Sequence, residues 1–156
     1  MTDRTKGDPD RSSLEETLQQ HHTCMSRVAE LEEILDQHPD EEGRWIGRIR
    51  KELPLLRGTL SHHFEEEQEA ALYRELPVRY PRFAERIKKL ASEHDGILEA
   101  IDTVTAAAQG LHQAELHELR ELNARIQLLV ATIRRHEAEE NELIMSAHWD
   151  EVGAGD

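Results

Sequence analysis

Ser61-His62-His63-Phe64-Glu65-Glu66-Glu67 decides the reading of this chain, because its histidine–glutamate spacing returns at His136-Glu137-Ala138-Glu139-Glu140. His63 and Glu67, and again His136 and Glu140, stand four residues apart. On an α-helix that spacing puts both side chains on one face, one turn apart. An imidazole nitrogen and a carboxylate oxygen so placed can grip one metal ion. Inward His and Glu at this spacing are one way a helical bundle holds two irons or manganeses.

Outward from these segments the apolar residues keep a helical period. Leu14, Leu18, His21, Met25, Val28 and Leu35 form a first stripe, and Ser13 with Glu16 can cap it as a capping box. Trp45, Ile49, Leu53, Leu56, Leu60, His63 and Glu67 form a second stripe, in a helix expected over about 42–76. Pro54 lies inside it, which leaves a kinked helix or a separate short helix over 43–53 as alternatives. Phe83, Ile87, Leu90, His94, Ile101 and Val104 form a third stripe, opened by Pro81 and stopped by Gly110. Leu116, Leu119, Leu122, Ile126, Leu129, Ile133, His136, Glu140 and Leu143 form the fourth. Four long helices with short connections predict an all-α fold, an antiparallel up-and-down four-helix bundle over 13–149. Residues 1–12 read as a flexible N-terminal arm and 150–156 as a flexible tail.

Composition agrees and excludes several classes. Charged residues make up 33% and aromatics 4% of 156 residues, which favours long helices over sheets. The formal net charge of −14 repels nucleic acid and anionic membrane surfaces and attracts cations. No apolar run approaches the roughly 20 residues of a membrane helix, and Met1-Thr2-Asp3-Arg4 does not look like a signal peptide. Cys24 is the single cysteine, so the chain can form no internal disulfide, which suits a reducing cytoplasm; we expect it to be a small buried residue. There is no Gly-rich phosphate loop and no Gly-x-Ser-x-Gly.

A histidine interrupts each stripe: His21, His63, His94 and His136. Counted from the first two connections, these residues fall within about one turn of one level at roughly 1.5 Å per residue. The third connection fits less well, and a longer loop between Gly110 and about His117 would repair part of the mismatch. Buried without partners, such groups would each cost several kcal/mol, on the order of magnitude known for desolvated charges. A metal ion removes that cost.

Four segments together resemble the hemerythrin-like, HHE cation-binding family over about residues 14–153. They are Gln20-His21; His63-Phe64-Glu65-Glu66-Glu67 with Leu72-Tyr73; Glu93-His94-Asp95; and His136-Glu137-Ala138-Glu139-Glu140-Asn141-Glu142-Leu143. The resemblance implies a non-haem di-iron centre, two Fe ions with an oxo or hydroxo bridge, inside the bundle. Its ligands would be His21, His63, Glu67, His94, His136 and Glu140, with Glu67 and Glu140 as bridging carboxylates. His22 is an alternative to His21. His62 faces about 100° away from His63 and reads as an outer or surface residue; His38, His112, His117 and His148 read as solvated.

The chain departs from the family's oxygen carriers at Leu90, where they have a further histidine, and at Asn141, where they have an aspartate. Six ligands in place of seven imply an open position on one iron, with Glu93 a possible substitute. Reaction with O2, H2O2 or NO, or iron sensing, then fits better than reversible oxygen carriage. Catalase- or peroxidase-like turnover is compatible with such a centre. Two other classes stay open: a metal-free acidic interaction module, and the same bundle used for iron storage or other divalent metals.

Overall fold

The computed structural model describes residues 9–40 and 42–153, and all of its regular structure is helical. α1 spans Pro9–Leu35, α2 Arg44–Glu69, α5 Ala84–Gly110 and α6 Leu116–Gly153. Between α2 and α5 lie two single turns, α3 (Ala71–Arg74) and α4 (Leu76–Arg79), and a 3-10 turn at Pro81–Phe83. The first helix starts before the expected Ser13 cap, at Pro9, a residue at home in a first helical turn. So residues 9–12 of the expected arm are helical, as are residues 150–153 of the expected tail; residues 1–8 and 154–156 lie outside those described.

Pro54 neither breaks α2 nor splits it. It sits on the solvent-exposed face, where water can serve the carbonyl that its missing N–H leaves free. The helix instead ends seven residues short of the expected Leu76. Ala70 is extended, at φ −85° and ψ 166°, and its N–H still reaches the Glu67 carbonyl at 2.9 Å. Alanine is the best helix former, so this break owes nothing to local propensity. It accompanies the burial of Ala71, Leu72 and Leu76 in one apolar cluster.

Side chains from neighbouring helices satisfy the carbonyls that helix ends leave open. Trp45 Nε1 donates to the Ile34 carbonyl at 3.2 Å, and Asn123 Nδ2 donates to the Leu35 carbonyl at 3.0 Å. Arg50 Nε donates to the Ala108 carbonyl at 3.0 Å. Asp40 Oδ1 in turn accepts the N–H groups of Arg44 and Trp45 at the start of α2. Contacts run in opposite order along successive long helices. Trp45 meets Ile34 while His63 meets His21; Arg57 meets Asp102 while Phe64 meets His94. Glu93 meets His136 while Arg86 meets Glu142.

The interior falls into two apolar clusters. One holds Val28, Leu31, Ile49, Leu56, Leu60, Ile97, Ile101, Ile126 and Ile133. The other, around α3 and α4, holds Leu14, Leu72, Phe83, Ile87, Leu90 and Leu143. Cys24 is buried in the first, as expected for a small apolar residue. Trp45 packs there too, whereas Trp149 is exposed. Leu56→Ala should cost ~2–5 kcal/mol in urea unfolding, as a fully buried leucine leaves a cavity. Leu55→Ala, next to it but 43% exposed, should cost under about 0.5 kcal/mol.

Candidate metal centre

Along every long helix the step from one apolar cluster to the other passes through a polar residue. Leu14 gives way to His21 and then Val28 on α1; Leu60 to His63 and Glu67 and then Ala71 on α2 and α3. On α5 His94 lies between Leu90 and Ile97, and on α6 His136, Glu137 and Glu140 lie between Ile133 and Leu143. The layer is buried: none of these seven His and Glu residues is more than 3% exposed.

All six residues expected from sequence lie in this layer. Loop 111–115 lengthens the third connection and brings His136 to the level of His94, with ring centroids 5.0 Å apart. His21 is in the layer and His22 is exposed. His62 is exposed and pairs with Glu66 at 2.9 Å. His38, His112 and His117 are also exposed, and His148 is half-buried.

The groups form two quartets whose ligand atoms lie within 4.8 Å of one another: His21, His63, Glu67 and Glu137; and Glu67, His94, His136 and Glu140. Glu67 belongs to both. Its Oε1 lies 2.7 Å from His21 Nε2 and 2.5 Å from His63 Nε2, and its Oε2 lies 3.3 Å from His94 Nε2. Glu140 belongs to the second quartet alone, with Oε1 at 2.5 Å from His136 Nε2; its Oε2 comes no nearer than 3.6 Å to His21 Nε2, so of the two carboxylates expected to bridge only Glu67 is shared.

Glu137 is the residue that the sequence reading missed, and with it the layer holds seven candidate ligands rather than the six from which an open position was expected. Its Oε2 is 3.1 Å from His21 Nε2 and its Oε1 3.6 Å from His63 Nε2. The signal was present, since Glu137 follows Ile133 by one turn on the same buried stripe. Glu93, expected as a substitute ligand, is outside both quartets; its Oε2 accepts from His136 Nδ1 at 2.8 Å. Asn141 Oδ1 likewise accepts from His21 Nδ1 at 2.6 Å. The Tyr73 hydroxyl reaches 3.2 Å from His94 Nε2, carried there by α3.

Proximity inside the layer is not the same as hydrogen bonding. His63 Nε2 and His136 Nε2 lie close to carboxylate oxygens but out of line for a hydrogen bond. Glu67 Oε2 and both oxygens of Glu137 and of Glu140 are also without a hydrogen-bond partner. Buried carboxylates left so are costly. A cation among them satisfies all these atoms at once, so the residues fit a pair of metal ions. The nitrogen and oxygen donor set suits iron, manganese or zinc. Cys24 contributes no thiolate, because burial first, and then the charges of Glu137 and Glu67, push its thiol up to about 12.

A family model described as the hemerythrin HHE cation-binding domain matches residues 12–147. The chain belongs to the hemerythrin HHE cation-binding family. No curated protein and no solved structure matches it.

Without a metal, protons must balance the carboxylates. Burial pulls the His21 imidazole down, but Glu140 and Glu67 outweigh it and push it up to about 11. His63, with Glu137 and Glu67 against the same burial, rises to about 9, and so does His136 beside Glu140 and Glu93. Burial works against ionised Glu67 as well, yet His21, His63 and His94 hold its carboxyl below the usual range. Raised imidazoles stabilise the folded state fully below the ordinary value of about 6.5 and lose that stabilisation as pH rises through 9 to 11. The metal-free protein should therefore melt progressively lower from pH 7 to pH 11 by circular dichroism. A melting temperature flat over that range would contradict the protonated cluster.

Proposed function

We propose that this hemerythrin-family domain holds two iron ions in its buried layer and reacts there with O2, H2O2 or NO. The observation that carries the reading is the set of buried carboxylate and imidazole atoms that find no hydrogen-bond partner inside the protein. His21, His63 and Glu137 would hold one iron, and His94, His136 and Glu140 the other, with Glu67 offering one oxygen to each. The four long helices would form the antiparallel up-and-down bundle that the opposed order of contacts supports. Bound there, a ferrous pair would supply the electrons for reaction with O2, H2O2 or NO.

The chain's own residues do the rest. The two apolar clusters exclude water from above and below the layer. Asn141 and Glu93 fix the rings of His21 and His136 by accepting from Nδ1, which leaves each Nε2 lone pair for a metal. The Tyr73 hydroxyl is an O–H donor beside the His94 half. Redox sensing or peroxide removal fits better than storage, since two quartets would hold only two ions. A metal-free interaction module would have these side chains facing solvent or a partner, and they are buried instead. No described helix is long and apolar enough to cross a membrane; we place the protein in the reducing cytoplasm, where Cys24 stays a free thiol.

Protein purified from its native host should contain close to two irons per chain and absorb in the near-ultraviolet as ferric pairs do. Iron-supplied protein that folds but stays colourless and metal-free would sink the proposal. Binding two divalent ions at pH 7 should also release protons, about three from His21, His63 and His136 and any held by Glu140, whose carboxyl burial pushes up, because the metal takes neutral imidazole and ionised carboxylate. Calorimetry in buffers of different ionisation enthalpy measures that number; uptake without proton release would contradict ligation by these rings.

A further inference from the structure

The two quartets match in composition, with two imidazoles and two carboxylates each and Glu67 shared. They differ in what stands behind them. In one, His21 Nδ1 donates to the neutral amide oxygen of Asn141 at 2.6 Å. In the other, His136 Nδ1 donates to a carboxylate, Glu93 Oε2, at 2.8 Å. The remaining ring of each quartet, His63 or His94, has no hydrogen-bond partner at Nδ1. One amide and one carboxylate are thus the outer partners that set the halves apart. A charged acceptor pulls harder on the Nδ1 proton and makes the opposite nitrogen a stronger donor.

Packing adds to the difference. His94 is held between two rings, with Phe64 stacked on it at 4.1 Å between centroids and 8° between planes, and Tyr73 edge-on at 5.3 Å. His63 and His94 each also meet the other histidine of their quartet edge-on at 5.0 Å, but His63 meets Phe64 at 6.0 Å and a tilt of 42° rather than stacked. A ring already fixed in place loses less freedom when it takes a metal.

We propose that Glu93 and Asn141 are positioning residues that make the two metal positions unequal, so that the His94–His136–Glu140 position takes a divalent ion first and more tightly. The proposal rests on the two-metal reading above and deepens it. It accounts for a glutamate one residue before His94 that lies in neither quartet and yet is aimed at the back of a ring on the next helix. The Glu93 side chain is 20% exposed, so water weakens its pull without removing it.

The test is a titration of the metal-free full chain with Co(II), followed by visible absorption and by calorimetry. The wild type should show two steps, separated by about 10- to 100-fold in affinity, the range set by outer partners of metal-bound histidine. His136→Ala should remove the tighter step and His63→Ala the weaker one. Glu93→Gln keeps the hydrogen bond but not the charge; it should weaken the tighter step about tenfold and leave the other unmoved. Asn141→Asp should tighten the weaker step. A purely structural role would move both steps together with the melting temperature. Two equal steps in the wild type, loss of the weaker step in His136→Ala, or parallel shifts in Glu93→Gln would each overturn the inequality while leaving the two-metal reading intact. A chain that takes up no Co(II) would overturn both.

Discussion

Three carboxylates and four imidazoles packed into one buried layer must be charge-balanced, and the rest of the structure is arranged around that requirement. Glu67, Glu137 and Glu140 are each at most 2% exposed. Desolvating even one unpaired carboxylate costs several kcal/mol after relaxation, a sizeable share of the roughly 5–15 kcal/mol that holds a domain folded. Protons on His21, His63 and His136 provide one balance. Metal ions provide another, and they also satisfy atoms that lie close together but out of line for hydrogen bonds. The metal-free and metal-bound states are therefore two solutions to one electrostatic problem.

The scaffold makes this layer possible by burying it on every side. Apolar clusters close it from both ends, and side chains such as Trp45, Arg50 and Asn123 tie helix ends to their neighbours without using the layer's own groups. The break at Ala70 has a functional consequence as well as a packing one. It turns the chain so that α3 buries Leu72 in the second cluster and brings the Tyr73 hydroxyl to His94. The same short turn closes the core and furnishes the layer with a hydroxyl donor.

Much of this was legible in the sequence, for a definite reason. A helical stripe reports which residues face inward, and His21, His63, Glu67, His94, His136 and Glu140 all lie on such stripes. Glu137 was overlooked because it adjoins His136, and adjacent residues are some 100° apart on a helix; yet the α6 stripe is wide enough to bury both. The end of α2 was not legible at all, since Ala70 is an excellent helix former and only tertiary packing stops the helix there. Pro54 left two alternatives open in the sequence, and the structure decides for one helix running through it, because its cost depends on whether water reaches the freed carbonyl. The roles of Glu93 and Asn141 required the structure too, as each acts on a histidine of a different helix.

The most direct test is anomalous diffraction from crystals of the iron-loaded protein, recorded above and below the iron edge. Two peaks inside the layer, one on each side of Glu67, with Glu137 against one and Glu140 against the other, are the predicted result. A single peak, peaks outside the layer, or an ordered layer with no anomalous density after iron loading would contradict the account.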